Sequence, residues 1–227
     1  MVALTSRVLA AAGIGVLLLD PHGTGDSGGD FAEARWETWR GDVTTAADWL
    51  QAEAGGPVGL WGLRLGGLLA AEALKATLER FNRLLLWAPV AKGETFLTQF
   101  LRIRVAAAMG EEFGENTKTL RAQFAAGESV EVAGYEIAPD LAAALDGAAL
   151  ADCAPPAGLP VTWFDLVAQA GRDLPPASRR LTEAWTEAGV DLRAEAIQGD
   201  PFWSLQEIAL APSLIPATLA ALAGDGA

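Results

Sequence analysis

The sequence predicts an α/β fold: a mostly parallel β-sheet with helices on both faces and a cap inserted between its two halves. Two observations predict it. Short apolar runs alternate with helix-period stretches at both ends of the chain, and the region between Pro89 and Pro160 breaks that rhythm. A length of 227 residues fits one such domain. Hydrophobic residues make up 51% and charged residues 20%, enough for a buried core and too apolar for disorder.

The elements follow in order. A helix over about Val2–Ala12 leads into a strand at Ile14–Leu19, read as buried and parallel because it is apolar throughout. The glycine-rich turn Asp20–Gly29 comes next. A helix then spans about Ala32–Glu53, with Trp36, Trp39, Val43, Ala47 and Leu50 at three- and four-residue steps. Gly55, Gly56 and Pro57 stop it. Strand Val58–Trp61, the turn Gly62–Gly66, a helix to about Leu78 and strand Leu84–Trp87 complete residues 1–88, the first part of the core. Residues 89–160 form the expected cap, with an amphipathic stretch at Phe96–Met109, a short strand pair near Val130–Ile137 and a helix around Leu141–Leu150. Residues 161–227 resume the core with strand Val161–Leu166, helix Ala177–Ala188 closed by Gly189, strand Leu192–Ile197 and a helix over about Ser213–Leu222.

Composition excludes several classes. A net charge of −13 repels phosphate backbones, which argues against nucleic acid as partner. One cysteine, Cys153, allows no internal disulfide, and with His22 as the only histidine a Cys/His metal site is not expected. No cofactor motif survives inspection. Gly23-Thr-Gly-Asp-Ser-Gly28 spells G-x-G-x-x-G, but Asp20–His22 separate it from the strand and no helix opens on it. The same stretch imitates a calcium loop, yet Phe31 stands where the closing glutamate belongs. Met1–Asp20 resembles a signal peptide only superficially: Gly13 splits the apolar run, and Asp20, Pro21 and His22 follow it instead of a small-residue cleavage site. No run reaches the about eighteen apolar residues of a membrane span, so the expected location is the cytoplasm.

The stretch Val58-Gly-Leu-Trp-Gly-Leu-Arg-Leu-Gly-Gly is a strand, a sharp turn and a helix, the setting of the G-x-S-x-G nucleophile elbow. Gly62 and Gly66 allow the tight turn. The central residue is Arg64, whose protonated guanidinium has no lone pair with which to attack a carbonyl.

Asp20-Pro-His-Gly-Thr-Gly-Asp-Ser27 is similar to the D-x-x-G-x-G-x-S signature of many α/β hydrolases, and the elbow follows at the distance seen there. More narrowly, GDFAEARWETWRGDV, LWGLRLGGLLA, LLLWAPVAKGETFLTQFLRIRVAAAM and GDPFW resemble the second type of hydrolase associated with bacterial exosortase A systems, encoded near exopolysaccharide genes. The arginine-bearing elbow belongs to that group's pattern. The resemblance implies the α/β-hydrolase fold and an ester- or acyl-directed ancestry; the mechanism must still come from the site. It also implies a further strand between Ile14–Leu19 and Val58–Trp61. No residues before Met1 supply one, so the N-terminal strands are expected to be missing, leaving a gap there or direct pairing of the flanking strands.

In that fold the triad acid follows the strand Val161–Leu166. Asp173 fits the place, and Asp165, inside the strand, fits it less well. The histidine position after Leu192–Ile197 is held by Gly199-Asp200-Pro201-Phe202-Trp203, with no histidine. Ser–His–Asp catalysis is therefore not expected. Asp173 and Asp200 are the candidate catalytic carboxylates, acting on a bound water. Arg64, Gly62, Leu65, Gly66 and Trp203 are the candidate binding residues for a small molecule bearing a carboxylate or phosphate. Arg64 has a second reading, an internal salt bridge to Asp173 or Asp200, favoured because a partly buried arginine usually needs a paired charge. Trp36, Trp39 and Trp61 are read as core, and Trp87 and Trp203 as core or pocket wall. Three functions stay open: a hydrolase of ester or acyl groups in exopolysaccharide-linked physiology, a non-catalytic binding protein, and the two-carboxylate enzyme.

Overall fold

The computed structural model describes residues 1–108, 115–204 and 209–223. Four parallel strands form the sheet in the order β1 (Val58–Leu63), β2 (Phe81–Trp87), β5 (Pro160–Val167), β6 (Asp191–Gln198). The pairs Leu63–Trp87 and Trp87–Phe164 bring the carboxyl ends of β1, β2 and β5 level. On one face lie α2 (Trp36–Ala54), α3 (Leu65–Ala76) and α7 (Pro176–Glu187); on the other lie α1 (Val2–Ala11) and α8 (Leu214–Ala223).

Alternation in β2 and β5 feeds both faces. Leu84, Leu86, Val161 and Trp163 enter the larger core under α2, α3 and α7, while Leu85, Trp87 and Phe164 enter the smaller one under α1 and α8. Trp87, Trp163 and Trp185 are fully buried, and each removes enough apolar surface from water to contribute roughly 4–6 kcal/mol before entropy is counted. The α2 stripe packs as its spacing requires, and the helix ends at Gly55, whose φ of 66° is left-handed. After α7, Gly189 takes φ 85° and its N–H caps Thr186 O.

Residues between β2 and β5 carry α4 (Gly93–Ala107), α5 (Thr117–Ala125), the antiparallel pair β3 (Val130–Val132) and β4 (Tyr135–Ile137), and α6 (Pro139–Gly147). Leu97, Leu101, Leu120, Leu141 and Leu145 tie this region into the larger core. The end of the predicted amphipathic stretch, Met109, lies outside the described residues.

The segment Ile14–Leu19 differs from its expectation. It is not part of the sheet, and Leu17, Leu18 and Leu19 are exposed. β1 is instead the terminal strand of the sheet among the described residues. Between β1 and Gly13–Pro21 lies a cavity of about 820 Å³. Of the two arrangements expected there, the gap is the one that forms. The buried parallel strand expected at Ile14–Leu19 does not form: among the described residues the segment has no neighbouring strand to make its backbone bonds. Among the described residues no helix is long and apolar enough to cross a membrane.

Candidate functional site

The site grows out of the turn between β1 and α3. Gly62 is packed so closely that a Cβ would lie 2.4 Å from Gly66 O and 2.5 Å from Gly67 Cα. The strand therefore meets the helix at backbone distance, and the next turn residue is thrown outward. That residue, Arg64, is the N-cap of α3 at φ 53°, ψ −120°, a conformation that costs an L-residue on the order of 1–3 kcal/mol. Backbone bonds hold it: Arg64 N donates to Trp87 O, while Gly67 N and Val90 N donate to Arg64 O. The first-turn N–H groups of Leu65 and Gly66 have no partner among the described residues.

The Arg64 guanidinium donates from Nη1 to Ala88 O at 2.8 Å and lies over Trp203, 5.0 Å from the ring centroid. Trp203 is positioned by an edge-to-face series: it packs on Phe202, Phe202 on Trp87, and Trp87 on Trp61. Trp87 is thus core, with its Nε1 donating to Thr218, and Trp203 is the aromatic wall of the site.

The charge that acts on Arg64 comes from Asp165. This carboxylate is buried, and its Oδ2 accepts from Trp163 Nε1 at 2.7 Å while the Ser178 hydroxyl also donates to it. Burial raises the Asp165 carboxyl above its ordinary value, against those two hydrogen bonds and the attraction of Arg64. Burial likewise pulls the Arg64 guanidinium below its ordinary value, and Asp165 opposes the shift. The two are coupled but not in ion-pair contact; among the described residues Arg64 has no carboxylate within salt-bridge distance.

The expected salt bridge of Arg64 to Asp173 or Asp200 is therefore absent. Asp173 is exposed and pairs with Arg179, one turn into α7, at 3.0 Å. Asp200 is exposed, in the loop after β6 that carries Trp203, and its carbonyl accepts from Phe202 N. Asp165 was the better partner, and its signal was a lone acid inside the otherwise apolar strand Val-Thr-Trp-Phe-Asp-Leu-Val. His22 sits far along the chain in the turn, its N–H on Asp42 and its ring 3.8 Å from Glu33. Ser27 Oγ donates to Asp20 O within the same turn. Cys153 is buried, and burial pushes its thiol up to about 11. Among the described residues no group of three or more metal-ligating side chains forms. Among the described residues the arrangement is a cation on an aromatic wall at a helix N-terminus, with N–H donors of the first turn unpartnered and no histidine beside it.

The family described as Hydrolase_4, serine aminopeptidase, S33, matches residues 2–139. No curated protein matches the sequence. Among solved structures, the chain is similar to Est1E from Butyrivibrio proteoclasticus with ferulic acid bound (TM-score 0.63, 12% identity, covering 99% of this chain and 82% of that one). It is similar to a Paleococcus ferrophilus monoacylglycerol lipase (0.63, 19%, 97% and 88%). It is also similar to the α/β-hydrolase domain-containing protein 10 from mouse (0.61, 19%, 98% and 82%). At these identities the likeness is one of fold.

Proposed function

Because the chain belongs to the Hydrolase_4 family and has the α/β-hydrolase fold, we propose that it holds a small carboxylate- or phosphate-bearing molecule at the elbow and does so without Ser–His–Asp chemistry. The observation that carries this reading is the state of Arg64. Among the described residues its half-buried guanidinium keeps one hydrogen bond, to Ala88 O, and no ion pair, which leaves most of its five donors for an anion. Leu65 and Gly66 N–H add donors at the positive end of α3, and the Trp203 ring lies against the guanidinium, 5.0 Å from its centroid. Gly62 supplies the close strand–helix approach that puts these groups at one point; Gly66, expected to share that role, has open space at its Cβ position.

Resemblance to the exosortase-associated hydrolases supports a place for this binding in exopolysaccharide-linked physiology, in the cytoplasm, on ligands derived from acyl or ester groups. Titration calorimetry with butyrate and with inorganic phosphate tests the reading. Wild type should bind at least one of them, and Arg64→Ala, which also loses the bond to Ala88 O, should remain folded and bind at least tenfold more weakly. Lost stability with unchanged binding would leave Arg64 a structural role only.

A second reading keeps catalysis, with Asp173 and Asp200 acting on a bound water. It is favoured by the position of Asp200, three residues before Trp203 in the loop that reaches Arg64. Turnover of a short-chain acyl ester by wild type, lost in Asp173→Asn or Asp200→Asn, would establish it in place of the first.

A further inference from the structure

A cleft of about 400 Å³ lies between the first half of α2, the last turn of α3 and residues 147–153, which follow α6. Its volume falls within the roughly 300–1,000 Å³ of small-molecule sites. It is a separate place from the elbow: Lys75, in its wall, stands about 15 Å along α3 from Leu65 at 1.5 Å per residue. The helix that carries it is apolar except for two charges. In Leu65–Ala76 these are Glu72 and Lys75, and a spacing of three puts them on one face.

Glu72 is mostly withdrawn from water, with its side chain 18% exposed, and its Oε2 accepts from Trp36 Nε1 at 2.7 Å. Arg40 Nη1 stands 4.0 Å from the same oxygen, too far for a hydrogen bond. Lys75 Nζ reaches across to donate to Asp152 O at 2.8 Å. The thiol of Cys153, also in the wall, feels the charges of Glu72, Lys75 and Asp152, so these three side chains gather around one point. Holding Trp36 and tying α3 to residue 152 are structural roles, but they leave polar groups over. Arg40 Nε is buried with no hydrogen-bond partner among the described residues, where a buried donor normally has one. Lys75 spends one of its three N–H groups on Asp152 O. Among the described residues neither Glu72 Oε1 nor the Asp152 carboxylate accepts a hydrogen bond.

The charges that line the cleft cancel: Arg40 and Lys75 against Glu72 and Asp152. A bare anion placed there would meet both carboxylates, and a bare cation would meet both basic groups. A molecule carrying both signs meets each with its opposite. We propose that the cleft binds a free α-amino acid, its carboxylate accepting from Arg40 Nε and Lys75 Nζ and its ammonium donating to Glu72 and Asp152. Ala76, Gly147 and Ala149 complete the wall with small apolar groups, so the ligand's own side chain is an uncharged one. The proposal is independent of the reading of Arg64, at the other end of α3.

The probes are the protein amino acids, one at a time, with the melting temperature of the full chain as readout. At least one with an uncharged side chain should raise it. Titration calorimetry of that amino acid should show saturable binding. Its primary amide, which lacks the carboxylate, and its α-keto acid, which lacks the ammonium, should each bind at least tenfold more weakly. Arg40→Gln should weaken the amino acid at least tenfold. Lys75→Gln, an exposed change that leaves the Trp36–Glu72 bond in place, should weaken it at least threefold. Arg64→Ala should bind it as wild type does. If no amino acid stabilises the chain, or if the keto acid or the amide binds as well as the amino acid, the proposal is overturned. Binding lost in Arg64→Ala and kept in both cleft variants would overturn it too, by moving the ligand to the elbow.

Discussion

Arg64 and Ala88, two non-glycine residues held at positive φ (53° and 41°), are joined by a hydrogen bond from Arg64 Nη1 to Ala88 O. Ala88 N in turn donates to Phe164 O. The strained ends of β1 and β2 thus brace one another, and the brace passes on to β5. In a hydrolase such strain exposes a nucleophile; here it aims a cation.

Restoring the hydroxyl should not restore the chemistry. In Arg64→Ser the serine inherits the elbow backbone, but the only histidine, His22, is in the Asp20–Gly29 turn, held there by its backbone N–H on Asp42 with its ring toward Glu33. Hydrolysis of p-nitrophenyl butyrate should stay at background, because no base is placed to take the serine proton. Turnover well above background would point to a base that the side chains around Arg64 do not reveal.

The two elbow glycines should respond differently to the same substitution. Gly62→Ala drives a Cβ into Gly66 O and Gly67 Cα, backbone atoms that cannot yield cheaply, and should cost about 1–3 kcal/mol in urea unfolding. At Gly66 a Cβ meets nothing within 4 Å, so Gly66→Ala should stay within about 1 kcal/mol of wild type.

Asp165 should make stability fall as pH rises. Its carboxyl is raised in the folded protein, so between the unfolded and folded values the native state holds the extra proton. The proton-binding difference is then negative for unfolding, and stability is lost as pH climbs through the folded value. Asp165→Asn keeps an acceptor for Trp163 and Ser178 while removing the titration. In urea denaturation across pH 3–8, wild type minus variant should decline above the ordinary aspartate range. A flat difference would mean that water or Arg64 offsets the burial.

Cys153 should be inert in the native state. A thiol at about 11, buried and donating to Ala149 O, holds on the order of one part in a thousand of thiolate at pH 8. Ellman's reagent should titrate it only on unfolding; stoichiometric reaction within minutes at pH 8 in buffer would show the site to be open.

What the sequence disclosed depended on how local the cause was. The elbow was legible because Gly62 and Arg64 act through their own turn, and α2 was legible because Trp36, Trp39 and Val43 repeat along one helix. The sheet membership of Ile14–Leu19 was not, since its residues carry the preference for extended backbone while the partner edge lies elsewhere. Asp173 has the place in the chain order of a triad acid, but it lies in the exposed loop before α7 and pairs there with Arg179. Asp165 acts instead because Trp163 and Asp165, two residues apart on one face of β5, are buried together under α7.

The exposed run Leu17–Leu19 has a colloidal consequence. Ile14–Leu19 is uncharged, free of proline and rich in apolar residues, and among the described residues β1 has no strand on its outer edge. Such a window is a template for intermolecular pairing. The surface charge of −13 keeps molecules apart at low ionic strength. Salt removes that repulsion without covering the leucines, so solubility should fall as sodium chloride is added, and the segment at residues 14–19 should be the first to become protected from hydrogen exchange in the assemblies that form.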